Sequence, residues 1–428
     1  MKKFTILLLV LSLCLGLCSC GKKTDSGEVG SVYYLNFKPE SDSAWQALAK
    51  KYTEKTGVEV KVVTAAAGAY NETLTAEMGK SSAPTLFQCG TQTDIETWGD
   101  FCLDLSDTDV YKQMTTSDFN LRGKNGETLA IAYCYEAFGI IVNKPLLAKA
   151  GYKVEDIKNF DTLKAVAEDI TARRDELKFA AFTSSGLDAS SSWRFAGHLT
   201  NIPLYYEFEE RGITEQPAEI TGKYLNYYKN VWDLYINNST AAKNELAAKT
   251  ADEAEAEFAE GRAVFFQNGT WEYSALTEKY GMKGEDLAMI PIYCGAPGEE
   301  NSALCCGTEN CWAVNSNASE ADQRATLDFI NWVVTSDEGT EMMAAQFGPI
   351  PFKAAKDSDN VFFTDANRYI EEGKYVLTWA FNYTPGVEAW RGGLVSALMR
   401  YSAGDSDFSA VGSAFVDGWK NQYIAENG

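Results

Sequence analysis

Histidine is almost missing from this sequence, which has one imidazole, His198, among its 428 residues. A single histidine gives little scope for a Ser-His-Asp triad, and no Gly-x-Ser-x-Gly segment is present to expose a nucleophilic serine. Gly123 and Gly126 lack the Walker spacing, so no phosphate-binding loop is expected. Beyond Cys20 the chain has no Cys-x-x-Cys pair, which disfavours a structural zinc site. We therefore expect no catalytic set, metal or cofactor.

Long hydrophobic runs and positive charge are also scarce. Residues 4–17 are mainly apolar and follow Lys2 and Lys3, the pattern of an export signal, but the run is shorter than the roughly 20 residues of a membrane-spanning helix. The 38 Lys and Arg residues are outnumbered by 60 Asp and Glu residues, giving a net charge of −22. This acidity makes nucleic acid and anionic lipid surfaces poor candidate partners.

The end of the apolar run, Leu17-Cys18-Ser19-Cys20, resembles the lipobox of bacterial lipoproteins. The resemblance implies a signal peptide over residues 1–19 and acylation of Cys20. Residues 20–31 would then be a flexible tether, and two acyl chains would hold the protein to the outside of the cell membrane. The alternative is a secreted protein with free Cys18 and Cys20.

Apolar segments of strand and helix character alternate along the rest of the chain. Residues 32–37 and 58–62 predict strands with a helix between them, and capping-box sequences at 43–46 and 319–322 predict two helix starts. Alternation of this kind predicts an α/β fold with a largely parallel sheet covered on both faces. A chain of 428 residues with 45% hydrophobic residues is longer than a single hydrophobic core usually accommodates, so we expect two domains.

Two nearly continuous apolar runs, at residues 129–142 and 304–314, are too long for single strands. We predict that they cross between the two domains. The seven cysteines after Cys20 are an odd number, so at least one is unpaired within the chain. Buried free thiols and one or two disulfides both fit the sequence.

Several segments, in this order along the chain, resemble the carbohydrate-binding group of extracellular solute-binding proteins, which includes maltose-binding protein. Residues 139–151 are similar to the stretch usually written yNkdlfekaG, with valine and proline replacing tyrosine and aspartate. Residues 258–271 resemble the segment F-x-x-G-x-x-A-M-x-x-x-G-x-W, again with two replacements. Residues 45–58 resemble the opening helix and second strand, and residues 312–341 the second crossing and its helix.

The resemblance implies a two-lobe periplasmic-binding-protein-like α/β fold, with hinge strands and a ligand cleft between the lobes. Lobe 1 would comprise residues 32–138 plus 306–350, and lobe 2 residues 139–305 plus 351–428. The implied function is a monomeric lipoprotein that captures a carbohydrate, in particular an oligosaccharide, by clamp closure and delivers it to the permease subunits of an ABC importer. Alternatives are an extracellular glycosidase with paired carboxylates, a glycan-binding surface lipoprotein, or capture of a peptide, polyamine or metal complex.

A sugar site needs aromatic rings that stack on apolar C–H faces and planar polar groups that pair with hydroxyls. The residue at the family's site-facing tryptophan position is Trp271. Strand ends and segments that resemble the family's cleft supply the other candidates, for which core packing or a solvated loop is the alternative. They are Asn36, Lys38, Glu40, Gln88, Tyr133, Tyr135, Glu136, Trp193, Glu309, Trp312, Trp379 and Phe381. Alternate residues of a strand face opposite sides, so Tyr133, Tyr135 and Glu136 cannot all be ligands.

Overall fold

The computed structural model describes residues 29–428, which form twelve strands and sixteen α-helices. The predicted strands at 32–37 and 58–62 are present, the second shifted by two residues. The strands are β1 (Val32–Asn36), β2 (Val60–Thr64), β3 (Leu86–Cys89), β4 (Leu121–Arg122), β5 (Thr128–Ala132), β6 (Glu136–Asn143), β7 (Ala180–Phe182), β8 (Ala263–Gly269), β9 (Leu287–Ile290), β10 (Ser302–Gly307), β11 (Cys311–Val314) and β12 (Tyr375–Thr378).

The helices cover both sheets, and within residues 29–428 none is both long and apolar enough to cross a membrane. They are α1 (Asp42–Thr56), α2 (Tyr70–Met78), α3 (Gln92–Trp98), α4 (Asp109–Lys112), α5 (Lys144–Lys149), α6 (Phe160–Ala172), α7 (Arg174–Leu177), α8 (Asn201–Arg211), α9 (Leu225–Asn237), α10 (Ala251–Ala259), α11 (Glu272–Ser274), α12 (Glu320–Thr335), α13 (Asp337–Phe347), α14 (Val361–Glu371), α15 (Val387–Ala403) and α16 (Ser409–Asn427).

The first sheet has the strand order β2-β1-β3-β11-β5-β4. β1 runs parallel to β2 and β3, whereas β11 is antiparallel to β3 and β5. The ends of β1, β3 and β5 therefore meet the start of β11 at one edge of the sheet. Loops that follow these strands converge there.

The second sheet has the order β12-β10-β6-β8-β7, with β9 also paired to β6. Its central strand β6 starts at Glu136, directly opposite Gly307 at the end of β10. On its other side Phe138 is opposite Gly269, the last residue of β8. The loops after β8, β10 and β12 consequently leave the same edge of this sheet. We call the parts of the chain packed on the two sheets the first lobe and the second lobe.

Both long apolar runs pass from one sheet to the other, as predicted. The run at 129–142 contains β5 of the first sheet and β6 of the second, and the run at 304–314 contains β10 of the second sheet and β11 of the first. Each run stays apolar because its strands are buried on both sides. The two-lobe α/β fold is thus confirmed.

Each lobe has a separate aromatic core. In the first lobe, Trp45 packs edge-on against Tyr34 and Trp312 at centroid distances of 5.0 and 6.1 Å. In the second lobe, Trp232, Trp390 and Trp419 are all buried. Large rings of this kind bury 150–250 Å² each and supply much of a core's hydrophobic stabilisation.

The two predicted helix starts have different outcomes. Ser319 caps α12, and its hydroxyl accepts a hydrogen bond from the amide of Asp322 at 3.1 Å. The prediction at Ser43 is wrong, because α1 already begins at Asp42 and Ser43 lies within its first turn. All seven cysteines of the described residues are free thiols, and six of them are buried.

Helical glycines should respond in opposite ways to alanine, depending on the space beside them. A Cβ on Gly339 in α13 would lie 2.2 Å from the carbonyl oxygen of Val333, whereas one on the exposed Gly393 in α15 would meet nothing within 4 Å. Gly339→Ala should lower the free energy of unfolding by about 1–3 kcal/mol. Gly393→Ala should raise it by about 0.4–1 kcal/mol because it restricts the unfolded chain. Urea unfolding of the unliganded variants measures both, and equal shifts would contradict the predicted packing.

Candidate functional site

A deep cleft separates the two lobes, with a cavity volume of ≈ 990 Å³. Both lobes line it, and it opens at the sheet edges where the loops converge. Most of the candidate residues from the sequence lie on its walls. These are Lys38, Glu40, Gln88, Glu136, Trp193, Trp271, Glu309, Trp379 and Phe381.

The second lobe contributes an aromatic wall. The rings of Trp193 and Trp271 are 5.9 Å apart, and the indole nitrogen of Trp193 donates a hydrogen bond of 2.7 Å to the carbonyl oxygen of Ser190. Trp379 and Phe381, which follow β12, extend this wall. The centroids of these two rings are 5.3 Å apart. A Cβ on Gly269 would lie 2.1 Å from the Trp271 ring, so only glycine lets that ring fold back over the end of β8.

A buried ion pair lies at the base of the cleft, where the chain crosses between lobes. The ammonium group of Lys38 is 2.5 Å from one carboxylate oxygen of Glu136, and Asn310 donates a 2.7 Å hydrogen bond to the other oxygen. Lys38 also lies 3.6 Å from Glu40 and 5.1 Å above the Trp271 ring. Burial would lower the pKa of Lys38, but the two carboxylates outweigh it and raise that pKa. Lys38 is therefore charged.

Polar groups from the first lobe and the second crossing continue this floor. The amide nitrogen of Gln88 donates to the backbone oxygen of Glu309 at 2.7 Å, and its oxygen accepts from Tyr133 at 2.9 Å. The Glu309 carboxylate is 3.9 Å from the guanidinium of Arg391, which belongs to α15. Burial raises the pKa of Glu309 to about 7 despite the opposing charge of Arg391. This carboxyl thus changes charge near neutral pH.

Four candidates do not line the cleft. The Asn36 side chain is bonded to both backbone groups of Lys38, at 2.7 and 3.1 Å, and so shapes the loop after β1. Tyr133 and Trp312 stack on each other at 4.4 Å within the first-lobe core. Tyr135 packs against Phe119 at 4.9 Å. Tyr133 and Tyr135 thus lie away from the cleft, whereas Glu136, which opens β6, lines it.

The family described as bacterial extracellular solute-binding protein matches residues 47–367. This chain belongs to that family. The match spans most of the first lobe, both crossings and much of the second lobe, so membership does not rest on one motif.

Solved structures share the fold of this solute-binding protein at low sequence identity. The binding protein RafE in complex with raffinose superposes with a TM-score of 0.72 at 17% identity, covering 92% of this chain and 99% of that chain. The GacH receptor of Streptomyces glaucescens gives 0.70 at 16% identity, with 93% and 99% covered. A mannobiose complex from Bifidobacterium animalis gives 0.69 at 15% identity, with 92% and 95% covered. No curated protein sequence matches the chain.

The sequence reasoning missed several residues of the cleft wall. Asp94, His198, Glu272 and Arg391 all line the cavity of the solute-binding protein. Burial raises the pKa of Glu272, as do the nearby charges of Glu255 and Glu40. Glu272 could have been predicted from the sequence, because it directly follows the candidate Trp271. No sequence pattern indicates that Arg391 and His198 reach the cleft, because they lie on helical turns whose orientation depends on tertiary packing.

The described residues offer no group of three or more His, Cys, Asp or Glu side chains that could hold a metal ion. The acids of the cleft instead face cations, amides or each other. Asp94 accepts hydrogen bonds of 2.7 and 2.9 Å from the backbone amides of Gly90 and Thr91. The side chains of this cleft can stack on a solute, form hydrogen bonds with it and complement its charge.

The raised pKa of Glu309 predicts a pH dependence of stability in the unliganded protein. Its pKa is about 7 when folded and near the ordinary 4.5 when unfolded, so the folded state binds more protons between these values. Stability should consequently fall as pH rises from about 4.5 to about 7. Glu309→Gln cannot titrate and should remove up to about 1.4 kcal/mol per pH unit of that fall. Urea unfolding of both proteins between pH 5 and 8 measures the difference, and parallel profiles would contradict it.

Proposed function

We propose that this protein is the substrate-binding component of an ABC importer and that its solute is a carbohydrate. The observation that carries the proposal is the composition of the cleft, in which an aromatic wall adjoins a floor of carboxylate, amide and cationic groups. Stacking rings bind the apolar C–H faces of a sugar, and the planar polar groups pair with its hydroxyls. The extracellular solute-binding family supplies the transport context.

The size of the cleft supports an oligosaccharide rather than a monosaccharide. Its volume of ≈ 990 Å³ is at the upper end of the roughly 300–1,000 Å³ typical of small-molecule sites. Structural relatives are named as complexes with raffinose, stachyose and mannobiose. These glycans are therefore the first to test. A peptide or polyamine remains a second solute class, which the same assay would reveal.

Clamp closure is the mechanism that we propose for capture. Three contacts join the two lobes: the close approach of Gly68 to Ala189, a 3.3 Å hydrogen bond from Asn71 to Glu388, and a 3.5 Å hydrogen bond from Gln216 to Thr93. Such contacts cannot survive separation of the lobes, so they belong to the closed form. A solute that touches both walls stabilises this form because it binds the open form with one wall only. The sequence predicts lobes of 32–138 plus 306–350 and of 139–305 plus 351–428; because β6 starts at Glu136 and β10 ends at Gly307, we propose that both crossings lie between these two strands and the first sheet.

Delivery requires a permease and an attachment to the membrane, and both are proposals. Cys18 and Cys20 lie outside the described residues, so the lipid anchor rests on the lipobox resemblance. We propose that acylated Cys20 holds a monomeric binding protein outside the cell, where the permease subunits receive its solute. We further propose that the protein has no catalytic activity, since the family consists of binding proteins.

Trp271 should be the most important stacking residue. Raffinose, stachyose and mannobiose are titrated calorimetrically into residues 31–428, and at least one should bind with a dissociation constant on the order of 1 μM. Trp271→Ala should weaken that affinity about 10-fold or more because it removes a stacking surface. Trp98→Ala is the matched control, since Trp98 packs against Phe101 away from the cavity.

Small-angle scattering and product analysis complete this test. Saturating glycan should reduce the radius of gyration, whereas an unchanged profile would contradict clamp closure. The glycan should be recovered intact, and its cleavage would favour the glycosidase alternative. If the protein binds peptides or polyamines but no glycan, the solute-binding fold still holds and the proposal that the solute is a carbohydrate is wrong.

The lipid anchor predicts a change of location on a single substitution. Cys20→Ala should move the full-length protein from the membrane fraction to the medium when it is expressed in a bacterium with a lipoprotein-processing pathway. Cys18→Ala is the matched control and should leave the protein in the membrane fraction. Release of neither variant, or of both, would contradict acylation at Cys20.

A further inference from the structure

His198 occupies an unusual position in the cleft wall. It ends a π-helical turn, Arg194–His198, and it lines the cavity with only 6% of its surface exposed. π-turns are uncommon and are frequently found at functional sites. A second π-turn, Ala275–Lys279, also borders the cavity. The turn therefore presents the only histidine of the chain to the solute cleft.

Aromatic rings surround the imidazole. It stacks on Phe138 at 4.3 Å with an interplanar angle of 6°, and Trp193 meets it edge-on at 5.0 Å. Trp271, Phe381 and Trp379 complete the enclosure at 5.4, 5.4 and 5.7 Å. These side chains hold the ring in one orientation.

The polar atoms in this enclosure are not satisfied by the protein. Within residues 29–428, the buried Nδ1 of His198 has no hydrogen-bond partner, and the same is true of the indole nitrogen of Trp379. The two groups therefore do not satisfy each other. A buried polar atom without a partner costs about 1–3 kcal/mol. Nε2, the other ring nitrogen, has no partner in the described residues either but is not buried, so a hydrogen-bonding group in the cleft can reach it.

The charges near His198 indicate which kind of solute group can bind to it. Burial lowers the pKa of His198 well below its ordinary value, and the positive charges of Arg391 and Lys38 act in the same direction. The imidazole is therefore neutral, with one donor and one acceptor nitrogen. Lys38 and Arg391 disfavour a cationic group at this point, while Glu136 and Glu309 on the adjoining floor disfavour an anionic one. A hydroxyl matches the site because it is uncharged and can both donate and accept.

We propose that His198 is a specificity-determining contact that binds a hydroxyl group of the captured sugar through its neutral imidazole. The inference rests on the carbohydrate function proposed above and adds a residue that neither the sequence motifs nor the family comparison indicates. Trp193 and Trp271 would supply stacking, whereas His198 would read the position of one hydroxyl. A site built to bond a hydroxyl strongly rejects solutes without one, since its own polar atom then remains unpaired.

Two substitutions separate hydrogen bonding from packing. His198→Phe keeps an aromatic ring on Phe138 but removes both nitrogens, and it should weaken binding of raffinose, stachyose or mannobiose about 10- to 100-fold. His198→Gln retains a donor and an acceptor and should recover part of the loss. Tyr235→Phe is the matched control, because it also deletes an unpaired buried polar atom of the second lobe, but one outside the cavity wall. It should leave the affinity unchanged.

Magnetic resonance provides a direct readout, since the chain has a single histidine. With ¹⁵N-labelled histidine and a purification tag that contains none, the imidazole gives one assigned pair of ring nitrogens. The bound glycan should shift these resonances, and the spectrum should remain that of a neutral ring from pH 8 to pH 6. The variants that replace His198 have no histidine resonance. Thermal unfolding of each unliganded variant therefore checks that it folds with a stability comparable to that of the wild type.

The outcomes are distinguishable. If the wild-type protein binds a glycan but His198→Phe binds it equally well, the imidazole does not bind a hydroxyl and the inference is overturned, while the proposed function stands. A protonated ring at pH 7 also overturns it. If the wild-type protein binds no glycan, the carbohydrate function fails and the inference fails with it. The inference is supported if the affinity for the glycan falls in His198→Phe, is partly recovered in His198→Gln and is unchanged in Tyr235→Phe.

Discussion

The buried ion pair between Lys38 and Glu136 lies where the chain passes between the lobes, and the cleft is arranged around it. Removing two charges from water is costly unless both are paired and hydrogen-bonded. Glu136 meets this condition with Lys38 on one oxygen and Asn310 on the other. Lys38 follows β1, Glu136 opens β6 and Asn310 precedes β11, so one network joins the first sheet to both crossings. Loss of Lys38 would leave Glu136 buried without its counter-charge, and loss of Glu136 would leave Lys38 with Glu40 alone.

The aromatic wall depends on this network and on the backbone beside it. The Lys38 ammonium lies 5.1 Å above the ring of Trp271, a favourable arrangement between a cation and an aromatic face. The glycine at the end of β8 leaves room for that ring. The orientation of Trp271 therefore follows from a charge in the first lobe and a missing side chain in the second. This link couples the geometry of the solute wall to the position of the lobes.

The sequence predicted the fold more fully than the site, for a physical reason. Burial of a strand on both sides leaves a continuous apolar run, so the crossings at 129–142 and 304–314 were recognisable. Cleft residues depend on which face of a strand meets the opening, and Trp312 was assigned to the cleft although its ring stacks on Tyr133 in the core. His198 and Arg391 come from helical segments far apart in the chain. No local pattern predicts that tertiary packing brings them to one wall.

The distribution of unpaired polar atoms shows where stability is given up. On the first-lobe side, Lys38 and Gln88 have hydrogen-bond partners within the protein. In the second lobe, the described residues offer no partner to one oxygen of Glu272, to Nδ1 of His198 or to the indole nitrogen of Trp379. Such atoms destabilise the empty protein, and a solute that pairs with them removes the penalty in addition to forming its own contacts. A solute of similar shape that lacks the matching groups leaves the penalty in place. Selectivity can therefore arise from what the empty cleft leaves unsatisfied as much as from the contacts that it offers.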